Sequence, residues 1–126
     1  MATILDMVKN RLPDEAALFA ASLPAFIEEA TAEAGFEGTA EAGLSTRQKS
    51  LVADLAAKAL ILPAMSKYKK ALAEAEGDGA GRAKFEDKLS FLTKMETKLD
   101  KSITERRAAL STAADCGVPM TVVYDD

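Results

Sequence analysis

The sequence predicts an all-α fold: short N-terminal helices, then a long antiparallel helical hairpin, then an extended C-terminal arm. Three observations predict it. Apolar residues recur at intervals of three and four through most of the chain. Prolines and glycines fall between the periodic stretches. Residues that favour extended backbone gather after Gly117.

Taken in order, Ile4, Leu5, Val8 and Leu12 predict a short helix over 3–11, stopped or redirected by Pro13. Asp14 and Glu15 suit the first turn of a second helix, 14–21, where carboxylates meet the positive end of the dipole. Ser22 before Leu23-Pro24 has the pattern of a cap followed by an early helical proline, so a third helix is expected over 23–34, ended by Gly35. The glycine-rich stretch 35–44 is read as a loop with Phe36 as its anchor. Ser45 and Gln48 have capping-box spacing and open a long helix over 46–76. Its apolar face is expected to hold Leu51, Val52, Leu55, Ala59, Leu62, Met65 and Leu72, and Pro63 is expected to kink or split it.

A turn at 77–81 leads to the second long helix, 82–110. There Phe85, Leu89, Leu92, Leu99, Ile103 and Leu110 fall near a seven-residue repeat that Glu96 and Arg106 interrupt, while Phe91 and Met95 widen the stripe towards the partner helix. The chain divides into a single helical domain, 1–114, and an arm, 115–126. In the arm Val118, Met120, Val122 and Tyr124 would share one edge. These residues either pack back on the chain's own helices or dock on another chain, for which they are the candidate partner-binding residues.

The core is thin, because 25 alanines stand against 35 larger apolar residues (Ile, Leu, Val, Met, Phe and Tyr). Burying a large aliphatic side chain contributes roughly 1.5–3 kcal/mol, and ordering each residue's backbone costs about 1–2 kcal/mol. A lone monomer is therefore expected to be marginal, and neighbouring subunits could supply further burial. No membrane span or secretory signal is expected. Cys116, the single cysteine, cannot form an internal disulfide and is read as a small hydrophobe rather than a nucleophile.

The net charge of −4 conceals segregation. Residues 1–45 carry eight acids and two bases, 46–76 three acids and six bases, and 82–107 five acids and eight bases. Either these are solvated faces, or the acidic part of one subunit meets the basic part of the next, with Glu28, Glu29, Lys67 and Lys70 as candidate interface residues. Lys67, Lys69, Lys70 and Arg106–Arg107 are expected to form a basic patch towards one end of the hairpin.

Histidine is absent, which excludes the usual zinc sites, Cys–His dyads and Ser–His–Asp triads. No glycine-rich phosphate loop is present, and the Glu28–Glu29 and Asp125–Asp126 pairs read as solvated charge. No catalytic, cofactor or metal residues are assigned, and no enzyme activity is expected.

The leading segment Ile4-Leu5-Asp6-Met7-Val8-Lys9-Asn10-Arg11-Leu12, the acidic start Pro13-Asp14-Glu15, the spacing of Leu18, Phe19 and Ile27, the two long helices and the C-terminal arm together resemble the head–tail connector (adaptor) proteins of tailed bacteriophages. The chain departs from that pattern at Pro24 and in the glycines after Ala34. The resemblance implies a structural virion protein of the neck, made in the host cytoplasm. It implies a homo-oligomeric ring, of twelve copies, between the portal protein and a tail-side neck protein. DNA would pass through without specific binding, no cofactor or membrane would be involved, and Val118, Met120, Val122 and Tyr124 would engage the portal. Other readings are another neck, tail or baseplate assembly protein, or a small cytoplasmic helical protein-binding module.

Overall fold

The computed structural model describes residues 3–74 and 79–116, with side-chain surroundings for 3–74 and 82–110. The described chain is helical: α1 (Ile4–Arg11), α2 (Pro13–Leu18), α3 (Leu23–Glu33), a 3-10 turn (Glu41–Gly43), α4 (Thr46–Glu74) and α5 (Gly79–Cys116).

Local chemistry sets most of the boundaries. Thr3 opens α1 with a capping box at the same three-residue spacing as Ser45–Gln48: the Asp6 amide donates to Thr3 Oγ1 at 3.1 Å, and the Thr3 amide donates to Asp6 Oδ2 at 3.5 Å. Pro13 takes the first position of α2, where its missing N–H costs nothing. Ser22 occupies the cap position of α3 but its side chain does not cap. Its backbone is itself helical, and the amides of Ser22 and Leu23 both donate to the Phe19 carbonyl, so the turn between α2 and α3 satisfies itself. Gly35 closes α3 at φ +92°, with Phe36 donating to Thr31 and Gly35 to Ala32, the paired bonds of a Schellman ending. The expected capping box opens α4: Gln48 donates to Ser45 Oγ at 3.2 Å and Ser45 to Gln48 Oε1 at 2.8 Å.

α4 is the central element, packed against α1, α2, α3 and α5. Contacts running from Asp54 against Ser102 and Arg106, through Lys58 against Asp100, to Tyr68 against Phe85 show α4 and α5 to be antiparallel. The helical hairpin is thus present. The turn expected at 77–81 is corrected over its second half, because α5 already includes Gly79–Gly81, while 77–78 lie outside the described residues. Glycine near a helix start costs about 1 kcal/mol and does not forbid the helix. α5 also runs beyond the expected end at 110, to Cys116. The extended arm lies outside the described residues, apart from its first positions, which belong to α5.

One reading of the hairpin is narrowed and another overturned. Of the kink or split expected at Pro63, the split does not occur, since α4 continues through it. The carbonyl that Pro63 leaves without its helical donor belongs to Ala59, an exposed position where water can satisfy it. The apolar face also differs from the expected one: Ala59 is exposed and Leu62 is 74 % exposed, whereas Ala53, Ala56, Ala57, Leu60, Ile61, Ala64 and Tyr68 are buried. Residues 51–57 are buried all round, because alanines let neighbouring helices close on every side of that stretch. In α5, Leu92, Leu99 and Ile103 form the buried seam, while Phe91 stands 47 % exposed and does not widen it. The 35–44 loop is held by Phe36, half-buried, and by Leu44, buried. Among the described residues no helix is long and apolar enough to cross a membrane.

Candidate functional site

The stretch Leu51–Ala57 contains one charged residue, Asp54, and it is 2 % exposed. A carboxylate taken out of water needs donors, and three arrive from two other helices. Arg11, in the last turn of α1, donates from Nε to Asp54 Oδ1 at 2.5 Å. Ser102 Oγ and Arg106 Nε, one turn apart on α5, both donate to Oδ2 at 2.7 Å. Arg106 Nε also lies 3.2 Å from Ser102 Oγ, and Arg11 Nη1 donates to the Met7 carbonyl at 2.9 Å. Both carboxylate oxygens are engaged, so Asp54 ties α1 and α5 to α4. Two guanidinium groups facing one carboxylate leave the centre with one net positive charge.

That excess lies at the base of a surface cleft. A space of about 470 Å³ between the end of α1 and α5 is lined by Asn10, Arg11, Phe91, Met95, Lys98 and Arg106, with Asp54 beneath. A second hollow of about 290 Å³ shares Ser102 and Arg106 with the first and adds Arg47, Glu105 and Ala109. Arg47 and Lys98 form no ion pair with another described residue. The result is a cationic groove with an exposed aromatic ring near one end.

A second polar centre is sealed. Glu15, 2 % exposed, accepts a 2.7 Å hydrogen bond from the Tyr68 hydroxyl. Burial, and then the bond to Glu15, raises the Tyr68 pKa well above the ordinary phenol value. Lys88 lies 5.3 Å from the Tyr68 ring centroid and pairs with Asp14 at 3.1 Å, closing the outer side. On the surface, Lys58 pairs with Asp100, whose hydrogen bond raises the lysine pKa.

Of the candidate interface residues, Glu28 and Glu29 are exposed and line a cleft of about 620 Å³ between α3 and residues 37–40, which Glu37 makes more acidic. Lys67 and Lys70 are exposed near the far end of α4, with Lys67 5.6 Å from the Phe19 ring centroid. The expected patch joining Lys67, Lys69 and Lys70 to Arg106–Arg107 does not form. Arg106 is turned inward to Asp54, and the antiparallel pairing places it near the opposite end of the hairpin from the three lysines. Val118, Met120, Val122 and Tyr124 lie outside the described residues. Among the described residues no cluster of three or more acidic or cysteine side chains is placed to hold a metal ion.

The groove is hard to read in the sequence because its partners are remote in the chain, Asp54 meeting Arg11, Ser102 and Arg106 across 43, 48 and 52 positions. The one local signal is an aspartate at a buried phase of an alanine-and-leucine run. The chain matches no family model, no curated protein and no solved structure.

Proposed function

We propose that this chain is a non-catalytic structural subunit of a larger assembly, and specifically a ring adaptor of the neck of a tailed phage, between the portal and the tail-side proteins. The observation that carries the assembly reading is the separation of unlike charge onto different elements: an acidic cleft on α3 and its loop, and a cationic groove on α1 and α5. Unlike charges on different parts of one molecule suit heterologous contacts, which close into rings, with Glu28 and Glu29 of one copy set against the exposed Lys67 and Lys70 of the next. Leu62 and Phe91, large apolar side chains left open to solvent, add surface that a neighbour would bury.

The finer identity rests on the resemblance to head–tail connectors. In this reading the ring is assembled from the host cytoplasm into the virion neck, and Val118, Met120, Val122 and Tyr124 contact an adjoining chain. DNA passes through the ring unread. The test is co-expression with the portal protein of the same genome, followed by electron microscopy of the purified complex. A ring of this chain on one end of the portal is the expected image. A chain that never associates with the portal overturns the neck assignment.

A further inference from the structure

We propose that the groove along α5 seats residues 117–126 of a second copy of this chain. The inference rests on the assembly reading and names the adjoining chain for that segment; the family resemblance directs the segment to the portal, whereas the chemistry of the groove directs it to another copy.

Phe91, Met95, Lys98, Ser102, Arg106 and Ala109 follow one another at intervals of three and four, so they occupy one face of α5 and run for about 27 Å at the ordinary helical rise. Arg11, from α1, and Arg47, from α4, line the same hollows and outweigh the one exposed carboxylate there, Glu105. This shape suits a single extended segment rather than a compact ligand. The terminal nitrogens of Arg106 make no bond to another described residue, because its Nε alone serves Asp54 and Ser102. They are therefore available to a carboxylate, and a guanidinium offers one a two-pronged bond. Asp54 fixes both arginines in place, so little freedom remains to be lost when a ligand binds.

Residues 117–126 match this surface in charge, polarity and length. They contain two acids, Asp125 and Asp126, and no base, and they carry Val118, Met120, Val122, Val123 and Tyr124 for the apolar wall at Phe91 and Met95. Ten residues span at most about 33 Å when extended, enough for the whole groove. α5 itself argues for exchange between copies. It stays helical through Cys116, about 10 Å past Ala109 along its own axis, so residues 117–126 of the same chain would have to reverse direction directly after the helix to enter their own groove.

The experiment uses the full chain with Tyr124→p-benzoylphenylalanine, mixed as equal amounts of isotopically heavy and light protein and irradiated. Cross-links from position 124 to groove residues between 91 and 109, joining heavy to light chains, are expected. Cross-links that join only chains of one label at every protein concentration, or that fall on another surface, overturn the proposal. The double variant Arg47→Glu/Lys98→Glu leaves the Asp54 centre intact and is expected to lower the mixed cross-link about tenfold. Combining it with a chain carrying Asp125→Lys/Asp126→Lys as the photoreactive donor is expected to restore the yield, and an unchanged yield in the first variant counts against the proposal. A chain that rings the portal but gives no groove cross-link sinks this inference alone. A groove cross-link from a chain that ignores the portal sinks only the neck assignment.

Discussion

Asp54 shows how one residue can hold three helices together. Its charge is tolerated inside α4 because Arg11, Ser102 and Arg106 replace the lost water. Asp54→Ala leaves two guanidinium groups facing each other over an apolar floor, and breaking a buried pair in this way costs about 3–5 kcal/mol. Urea denaturation should show that loss, with Arg106→Ala costing less, since Arg106 is half-exposed and Arg11 still serves the carboxylate. Tyr68 gives a prediction with a pH sign. Its folded-state pKa is raised, so the native protein retains a proton that the unfolded chain releases above about pH 10. Stability from this group is therefore complete below that pH and falls as pH rises further, by up to about 1.4 kcal/mol per unit. Tyr68→Phe should abolish that increment of alkaline sensitivity. At neutral pH it should cost about 1–3 kcal/mol, because Glu15 is left buried without its donor. Melting temperatures of both proteins across alkaline pH provide the check.

At the scale of the element, α4 depends on small side chains. Ala53, Ala56, Ala57 and Ala64 are fully buried, so the neighbouring helices approach the α4 backbone where a larger residue would hold them off. Ala57→Leu should overpack this contact and destabilise by about 1–3 kcal/mol. Leu62→Ala, on the same helix but 74 % exposed, should change monomer stability by less than about 0.5 kcal/mol. The pair of variants, measured by thermal unfolding, separates buried from open faces of one helix. Much at this scale is legible in the sequence: the Ser45–Gln48 box, Gly35, Pro13 and the hairpin follow from caps and breakers that act over a few neighbouring residues. The phase of the buried face is not, since residue size favours Leu62 over Ala64 whereas the packing makes the alanine side the interior.

For the whole molecule, the decisive feature is that its acidic and cationic surfaces lie on different elements and cannot be described by net charge. Glu28→Lys/Glu29→Lys is expected to weaken association between copies far more than it lowers the melting temperature, because both residues are exposed on α3 and contribute little to the monomer. Analytical ultracentrifugation beside calorimetry tests this. Equal association by the variant would exclude α3 as an assembly surface. Salt should act in the same direction, since contacts between exposed charges are screened over about 8–10 Å at ordinary ionic strength.

The sequence by itself determined the helical class, most helix starts and stops, the hairpin and the segregation of charge, because periodicity, capping and composition are local or additive properties. The tertiary structure alone decided which face of α4 is interior, that Pro63 is absorbed, that Asp54 and Glu15 are buried, and that Arg11, Arg47, Lys98 and Arg106 converge on one groove. The bonds to Asp54 and Glu15 join side chains across 43 to 53 positions of chain, and the groove joins others farther apart still. At such distances no pattern in the sequence records the meeting, and packing chooses the partners.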